Sequence, residues 1–331
     1  MPTSSADTPA PRAWRPDVLG EHFFASDLEL APDDEGDCVA TLVRFRPRRW
    51  QVFERKTVVL YVHGWNDYFF QTELAQFWHE QGAAFYALDL RKYGRSLRPH
   101  QTAGFITDLA DYDEEIGLAI DEIRRRHGPG VRIVGMGHST GGLILSLWTA
   151  RKGDVFHSLI LNSPWLELQG SSVVRTLAMP MISQLARLNP LAEMPNIDPG
   201  FNARTMRHEL GGEWDYDEEW RPSPMFPVRA GWLKAIMKGH ASVADGLNIQ
   251  IPVLMMASAK SHIWPRWSEE MRSSDIVLDV DQIVERALDL GPRVTVVRVT
   301  GGLHDLIASR PEVRGWVYAE IARWSRAYVW G

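Results

Sequence analysis

The chain has 331 residues, 45% of them hydrophobic and 24% charged, with a formal net charge of -6. That is the composition of a globular protein long enough for a sizeable core, and its mild acidity gives no electrostatic basis for binding nucleic acid. The single cysteine, Cys38, excludes an intramolecular disulfide and a thiolate metal cluster within one chain.

Residues 1–16, rich in Pro, Ala, Ser and Thr, read as a disordered or loosely attached arm without the basic flank and apolar run of a signal peptide. No window approaches the roughly 18 apolar residues of a spanning helix, so the expected address is the cytoplasm. Residues 21–30 and 37–46 flank Pro32-Asp33-Asp34-Glu35-Gly36, the pattern of an antiparallel hairpin with Cys38 as a small strand residue.

Beyond the hairpin, short runs rich in Val, Leu and Ile occur at 57–62, 84–89, 131–136, 158–162, 251–257 and 294–299. Helix-like segments lie among them at 71–81, 111–127, 141–151 and 280–290, with a last one at 313–328. This alternation predicts a parallel sheet wrapped by helices. From 164 to 250 the rhythm stops. Met179, Met181, Met194, Met206, Met225 and Met237 fall there with Trp165, Trp214, Trp220 and Trp232. We read it as an inserted, mostly helical cap, whose Met and Trp side chains either line a substrate pocket or fill the cap's own core. The expected organisation is thus an arm at 1–16, a core at 17–163 and 251–331, and a cap at 164–250.

Gly137-His138-Ser139-Thr140-Gly141-Gly142 matches G-x-S-x-G, with a buried-strand run before it and a helical run after it. A serine on such a sharp turn adopts strained angles that bulky neighbours would obstruct, and its hydroxyl stands exposed as a nucleophile. Against this stands a plain glycine-rich turn between strand and helix. The run at 57–62 leads into His63-Gly64-Trp65-Asn66-Asp67. The N–H groups of Thr140 and Trp65 are the two donors expected for an oxyanion hole, with His63 bracing the loop. The general base is expected after the nucleophile. His304, in Gly301-Gly302-Leu303-His304-Asp305 beyond the last strand, fits that place.

Together these three motifs resemble the α/β-hydrolase superfamily, in particular its branch of monoacylglycerol lipases, lysophospholipases and serine aminopeptidases. The resemblance covers roughly 20–165 and 250–330 and implies a mostly parallel sheet with helices on both faces and an inserted cap. It includes Asp89-Leu90-Arg91-Lys92-Tyr93-Gly94-Arg95-Ser96, in which Lys92 stands where the branch usually has Gly. The triad acid is less direct, because Lys260 to Trp267 and more intervene before an aspartate appears. Asp275, Asp279 and Asp281 are candidates. The resemblance maps the acid onto Asp275, with Asp279 the alternative; for each, the competing reading is a carboxylate capping the helix near Val280.

The expected activity is cleavage of a carboxylic ester with an apolar, lipid-like acyl group through an acyl-enzyme. Two alternatives remain. One is amide or peptide hydrolysis by the same residues, with the acidic run Glu213, Asp215, Asp217, Glu218 and Glu219 receiving a substrate amine or simply facing solvent. The other is a binding protein that has kept the fold and lost the chemistry. The serine at the elbow disfavours dehalogenase or epoxide-hydrolase chemistry, whose relatives carry Asp there. No cofactor or metal is expected; His208, His240 and His262 are scattered without ligand spacing.

Overall fold

The computed structural model of the chain describes residues 12–47, 56–169, 172–195 and 199–331. Strand β1 (Arg15–Asp17) pairs antiparallel with β2 (Gly20–Asp33), and β2 pairs antiparallel with β3 (Gly36–Phe45). The hairpin is therefore present, and β1 corrects the arm expected over 1–16. Residues 1–11 lie outside the described residues, but Arg15 and Pro16 belong to the sheet. Arg15 also pairs with Asp27 at 2.8 Å, but the Arg15 side chain is exposed and that of Asp27 partly so, and it is the antiparallel pairing with β2 that holds this polar stretch.

The later apolar runs become β4 (Thr57–Val62), β5 (Ala84–Asp89), β6 (Arg132–His138), β7 (Ser158–Asn162), β8 (Val253–Ser258) and β9 (Val294–Val299). They join the hairpin in one sheet of order β1-β2-β3-β5-β4-β6-β7-β8-β9. From β5 through β4 to β9 all neighbours are parallel. Every residue of β4 is buried. Val58, Leu60 and Val62 enter one core while Val59 and Tyr61 enter the other, because side chains alternate across a strand. Burial on both faces is why these runs show no polar alternation.

Helices α1 (Thr72–Glu80), α2 (Asp113–His127) and α3 (Thr140–Lys152) follow β4, β5 and β6. Ile116 and Ile120 of α2 and Leu143 and Leu147 of α3 pack on one face of the sheet. Phe77 and Trp78 of α1 cover the other, with Val317 and Ile321 from the C-terminal end of the chain. Between β7 and β8 the chain forms α4 (Ser172–Leu188), α5 (Phe201–Met206) and α6 (Ala230–Ala244), with no strand among the described residues of this excursion. Trp232 of α6 reaches the main core, and Met206 and Trp214 join Tyr68, Phe70, Leu303 and Ala308 in a third cluster over the sheet's end. Met181, by contrast, is 75% exposed. The Met and Trp side chains of this stretch thus divide between packed clusters shared with the sheet and its loops and exposure to solvent.

Two element ends differ from the pattern read in the sequence. Helix α7 (Val280–Ala287) stops short of 290 and finishes in a tighter 3₁₀ turn, Leu288–Leu290. Helix α8 (Pro311–Tyr328) begins before 313 because Pro311 occupies its first turn, where a missing N–H costs nothing.

Candidate active site

The loops at the carboxyl ends of β4, β6, β8 and β9 meet at one place, where parallel α/β sheets present their ligand crevice. Strand β6 runs through His138, and α3 starts at Thr140, so Ser139 alone makes the turn. Its backbone angles are φ 51° and ψ -117°, a strained combination for a residue with a Cβ. The neighbouring glycines are required by close approach. A Cβ on Gly137 would lie 2.7 Å from the Gly141 carbonyl oxygen, and one on Gly141 would strike the carbonyl oxygens of Val62 and His63.

His304 meets this serine: Nε2 lies 3.0 Å from Ser139 Oγ. Nδ1 lies 2.8 Å from Asp275 Oδ2. With Nδ1–H donating to the carboxylate, Nε2 is left to accept from the hydroxyl. Asp275 is wholly buried, and its other oxygen accepts the Val277 and Leu278 N–H groups, each at 2.8 Å. Asp279 does something else. It caps α7, accepting from the N–H groups of Asp281 and Gln282. Asp281 pairs with Arg298 on the surface.

The long insertion before Asp275 is closed off at its base. Ser261 and Asp275 form a parallel bridge, the Asp275 N–H donates to the Lys260 carbonyl at 3.0 Å, and the His262 N–H donates to the Asp275 carbonyl at 2.7 Å. Asp275 thereby returns to the end of β8. The insertion leans on the excursion: Arg272 donates to the carbonyls of Arg204, Leu210 and Gly211 at 2.7–3.0 Å.

His63 is buried and does not reach the serine. Its Nε2 accepts the Leu90 N–H at 3.0 Å, so Nδ1 carries the proton and donates to the Gly64 carbonyl at 2.7 Å. Burial, outweighing the nearby Asp89, holds its pKa below the usual histidine value. Gly64 abuts Ser139, since a Cβ there would lie 3.0 Å from Ser139 Cβ. Trp65 follows it, and Thr140 opens α3 with the free N–H that every first helical turn possesses. Lys92, at the usual glycine position, adopts a positive φ of 65°. The loop keeps its glycine-like conformation, with Lys92 Nζ drawn to Asp33 and Glu35 of the β2–β3 turn at 2.5 Å each.

Sequence reasoning missed a polar layer behind these residues. Asn162, at the end of β7, donates through Nδ2 to Asp305 at 2.7 Å and accepts the Leu306 N–H through Oδ1 at 3.1 Å. Its carbonyl also accepts the Ser139 N–H at 3.0 Å. Gln71 Nε2 donates to the second Asp305 oxygen at 2.9 Å. Burial pushes the Asp305 carboxyl up, but His138 and the donors Asn162, Gln71 and Ile307 N–H outweigh it and hold its pKa below the usual range. Asp67 has fewer donors, and burial pushes it up to about 6 despite Arg221 beside it. The available signal was a polar residue at the carboxyl end of an otherwise apolar strand run, as Asn162 is.

This arrangement can pass a proton from the Ser139 hydroxyl to His304 while Asp275 steadies the cation. Among the described residues no group of three or more His, Cys, Asp and Glu side chains is arranged to hold a metal ion. No helix among them is long and apolar enough to cross a membrane.

Solved structures share the fold. The monoacylglycerol lipase of Paleococcus ferrophilus aligns with a TM-score of 0.60 at 17% identity, over 83% of this chain and 95% of that one. A soluble variant of monoglyceride lipase from Saccharomyces cerevisiae, in complex with a substrate analogue, aligns at 0.62 and 16% identity, over 91% and 96%. A thermostable carboxyl esterase from Bacillus coagulans, in complex with glycerol, gives 0.63 and 14%, over 92% and 99%. Residues 54–306 match the family described as serine aminopeptidase, S33, and the chain therefore belongs to that family of α/β hydrolases.

Proposed function

We propose that the protein cleaves carboxylic esters through an acyl-enzyme, with Ser139 as nucleophile, His304 as general base and Asp275 as the acid that orients it. The observation carrying this reading is the continuous hydrogen-bonded chain from Ser139 Oγ through His304 to Asp275 Oδ2. Ser139 Oγ bonds to the acyl carbon and its proton passes to His304 Nε2. The carbonyl electron pair moves onto oxygen, facing the N–H groups of Trp65 and Thr140. Collapse expels the alcohol, which takes the proton from His304; water then repeats the sequence and frees the acid. The excursion at 164–250 acts as a cap over this site, and the substrate is a lipid-like ester with an apolar acyl group. The lipase and esterase neighbours are in keeping with an ester substrate.

The family description raises amide hydrolysis as the competing chemistry. Glu213, Asp215, Asp217, Glu218 and Glu219 are all exposed, and Glu218 pairs with Arg207. An acidic run turned to solvent offers no enclosed seat for a substrate amine, and this favours the ester. A panel of p-nitrophenyl esters of increasing acyl length, run beside aminoacyl p-nitroanilides, tests the choice. Turnover of the esters with a burst of nitrophenol is the expected result. Faster turnover of the anilides would replace the ester reading with the amide one.

A further inference from the structure

The loop expected to supply one oxyanion donor is gripped by the excursion that follows β7. Asn66, the residue after Trp65, is buried and holds a positive φ of 53°. An L-residue keeps that conformation only when its surroundings compensate for the strain. Both ends of the Asn66 amide are occupied by one short segment of the excursion. Nδ2 donates to the Pro222 carbonyl at 3.0 Å, and Oδ1 accepts the Phe226 N–H at 3.0 Å. Next to it, the buried Arg221 places Nε 3.0 Å from Asp67 Oδ1, an ion contact without hydrogen-bond alignment. On the other side, the Trp65 indole packs on Trp232 of α6 with ring centroids 3.9 Å apart.

Resting on the reading of Ser139 and Trp65 given above, we propose that Asn66 and Arg221 are positioning residues. They fasten the loop 64–67 to the segment 221–226, so that the Trp65 N–H faces the oxyanion only while the cap is docked. The cap then completes the catalytic machinery as well as covering it. The physical reason is economy of motion. Gly64 leaves no room for a Cβ against Ser139, so releasing Asn66 lets a small rotation at Trp65 turn the Gly64–Trp65 N–H away from the charge that forms. Nothing in the β4 ladder restrains that rotation, since β4 ends at Val62.

The test uses Asn66→Gly, because glycine accepts the positive φ and removes only the side-chain tether, and Arg221→Lys, which keeps the charge. Steady-state kinetics on a short p-nitrophenyl ester are measured with the affinity for an alkyl trifluoromethyl ketone. That ketone bonds to Ser139 Oγ, its carbonyl electron pair becomes the oxyanion and the serine proton moves to His304. The matching methyl ketone, held without the adduct, reports ground-state binding. In Asn66→Gly, kcat should fall about 10- to 100-fold, short of the loss of a whole oxyanion donor. KM and methyl-ketone affinity should stay level, while trifluoromethyl-ketone affinity falls by the same factor as kcat. Arg221→Lys should lose less. Unchanged kcat in both variants, a loss confined to KM, or a fall in kcat with trifluoromethyl-ketone affinity intact would overturn the proposal. If the wild-type protein neither turns over esters nor binds the trifluoromethyl ketone, the reading of Ser139 fails instead, and the two failures are distinguishable.

Discussion

Asp275 reaches Nδ1 of His304 at 2.8 Å from the far side of an insertion that the β8 loop closes off at its own base. The chain leaves β8 at Ser258, travels out to lean on the excursion, and comes back beside Ser261 before the acid is presented. Ser261 fixes the return by donating to the Leu278 carbonyl and accepting the Val280 N–H, both at 2.8 Å. The position of Asp275 is therefore set by the bridge, and the length of the insertion does not disturb it.

Asp275 and Asp279 should separate cleanly on substitution. Asp275→Asn leaves His304 without its orienting anion, and kcat on an ester should drop about 10³- to 10⁴-fold with little change in KM. Asp279→Ala should keep kcat and lower stability by about 1 kcal/mol, the usual value of a lost helix N-cap. Chemical denaturation of both variants beside their kinetics checks this. The reverse pattern would move the acid to Asp279.

This pair also shows how far the sequence could be read. The strand runs, the elbow at Ser139 and the histidine loop were legible because each is a local pattern. Periodicity marks buried strands, close backbone packing demands glycine, and a glycine-rich loop follows the last strand. The choice between Asp275 and Asp279 depends on the bridge to Ser261, a contact across the insertion, and the resemblance that pointed to Asp275 carries no trace of it. The Asn162–Asp305–Gln71 layer was missed for the same reason, since its members come from three distant parts of the chain. Residues 15–16 were misread because a polar, proline-bearing stretch looks loose until β2 is seen beside it.

Asp67 and Asp305 should give opposite pH signatures in stability. Asp67 has a folded pKa raised to about 6, so its contribution is fully present below the unfolded value and is lost as pH rises through 6. Asp67→Asn removes that loss. Relative to wild type, the variant should gain on the order of 3 kcal/mol between about pH 4 and 7, whatever the constant cost of leaving Arg221 unpaired. Asp305 has a lowered folded pKa, so its contribution is present at neutral pH and is lost as the pH falls through the acid range. The deficit of Asp305→Asn should therefore shrink on acidification. Urea denaturation at a series of pH values reads both slopes. Slopes of the same sign would be inconsistent with these assignments.

Lys92 should prove structural and remote from the chemistry. Its ammonium is buried between Asp33 and Glu35, which stay partly in water. Lys92→Met leaves two carboxylates facing an apolar chain and should cost about 2–4 kcal/mol. Ester kcat, measured well below the lowered melting temperature, should be unchanged. A selective loss of kcat would show that the loop 90–96 governs the site.

The central claim is that Ser139 is the nucleophile. Folded protein treated with a fluorophosphonate, which loses fluoride as the serine oxygen bonds to phosphorus, tests it most directly by intact mass and peptide mapping. The account predicts one adduct per chain, on Ser139, abolished in Ser139→Ala and strongly slowed in His304→Ala. An unlabelled wild-type protein, or an adduct on any other residue, would contradict it.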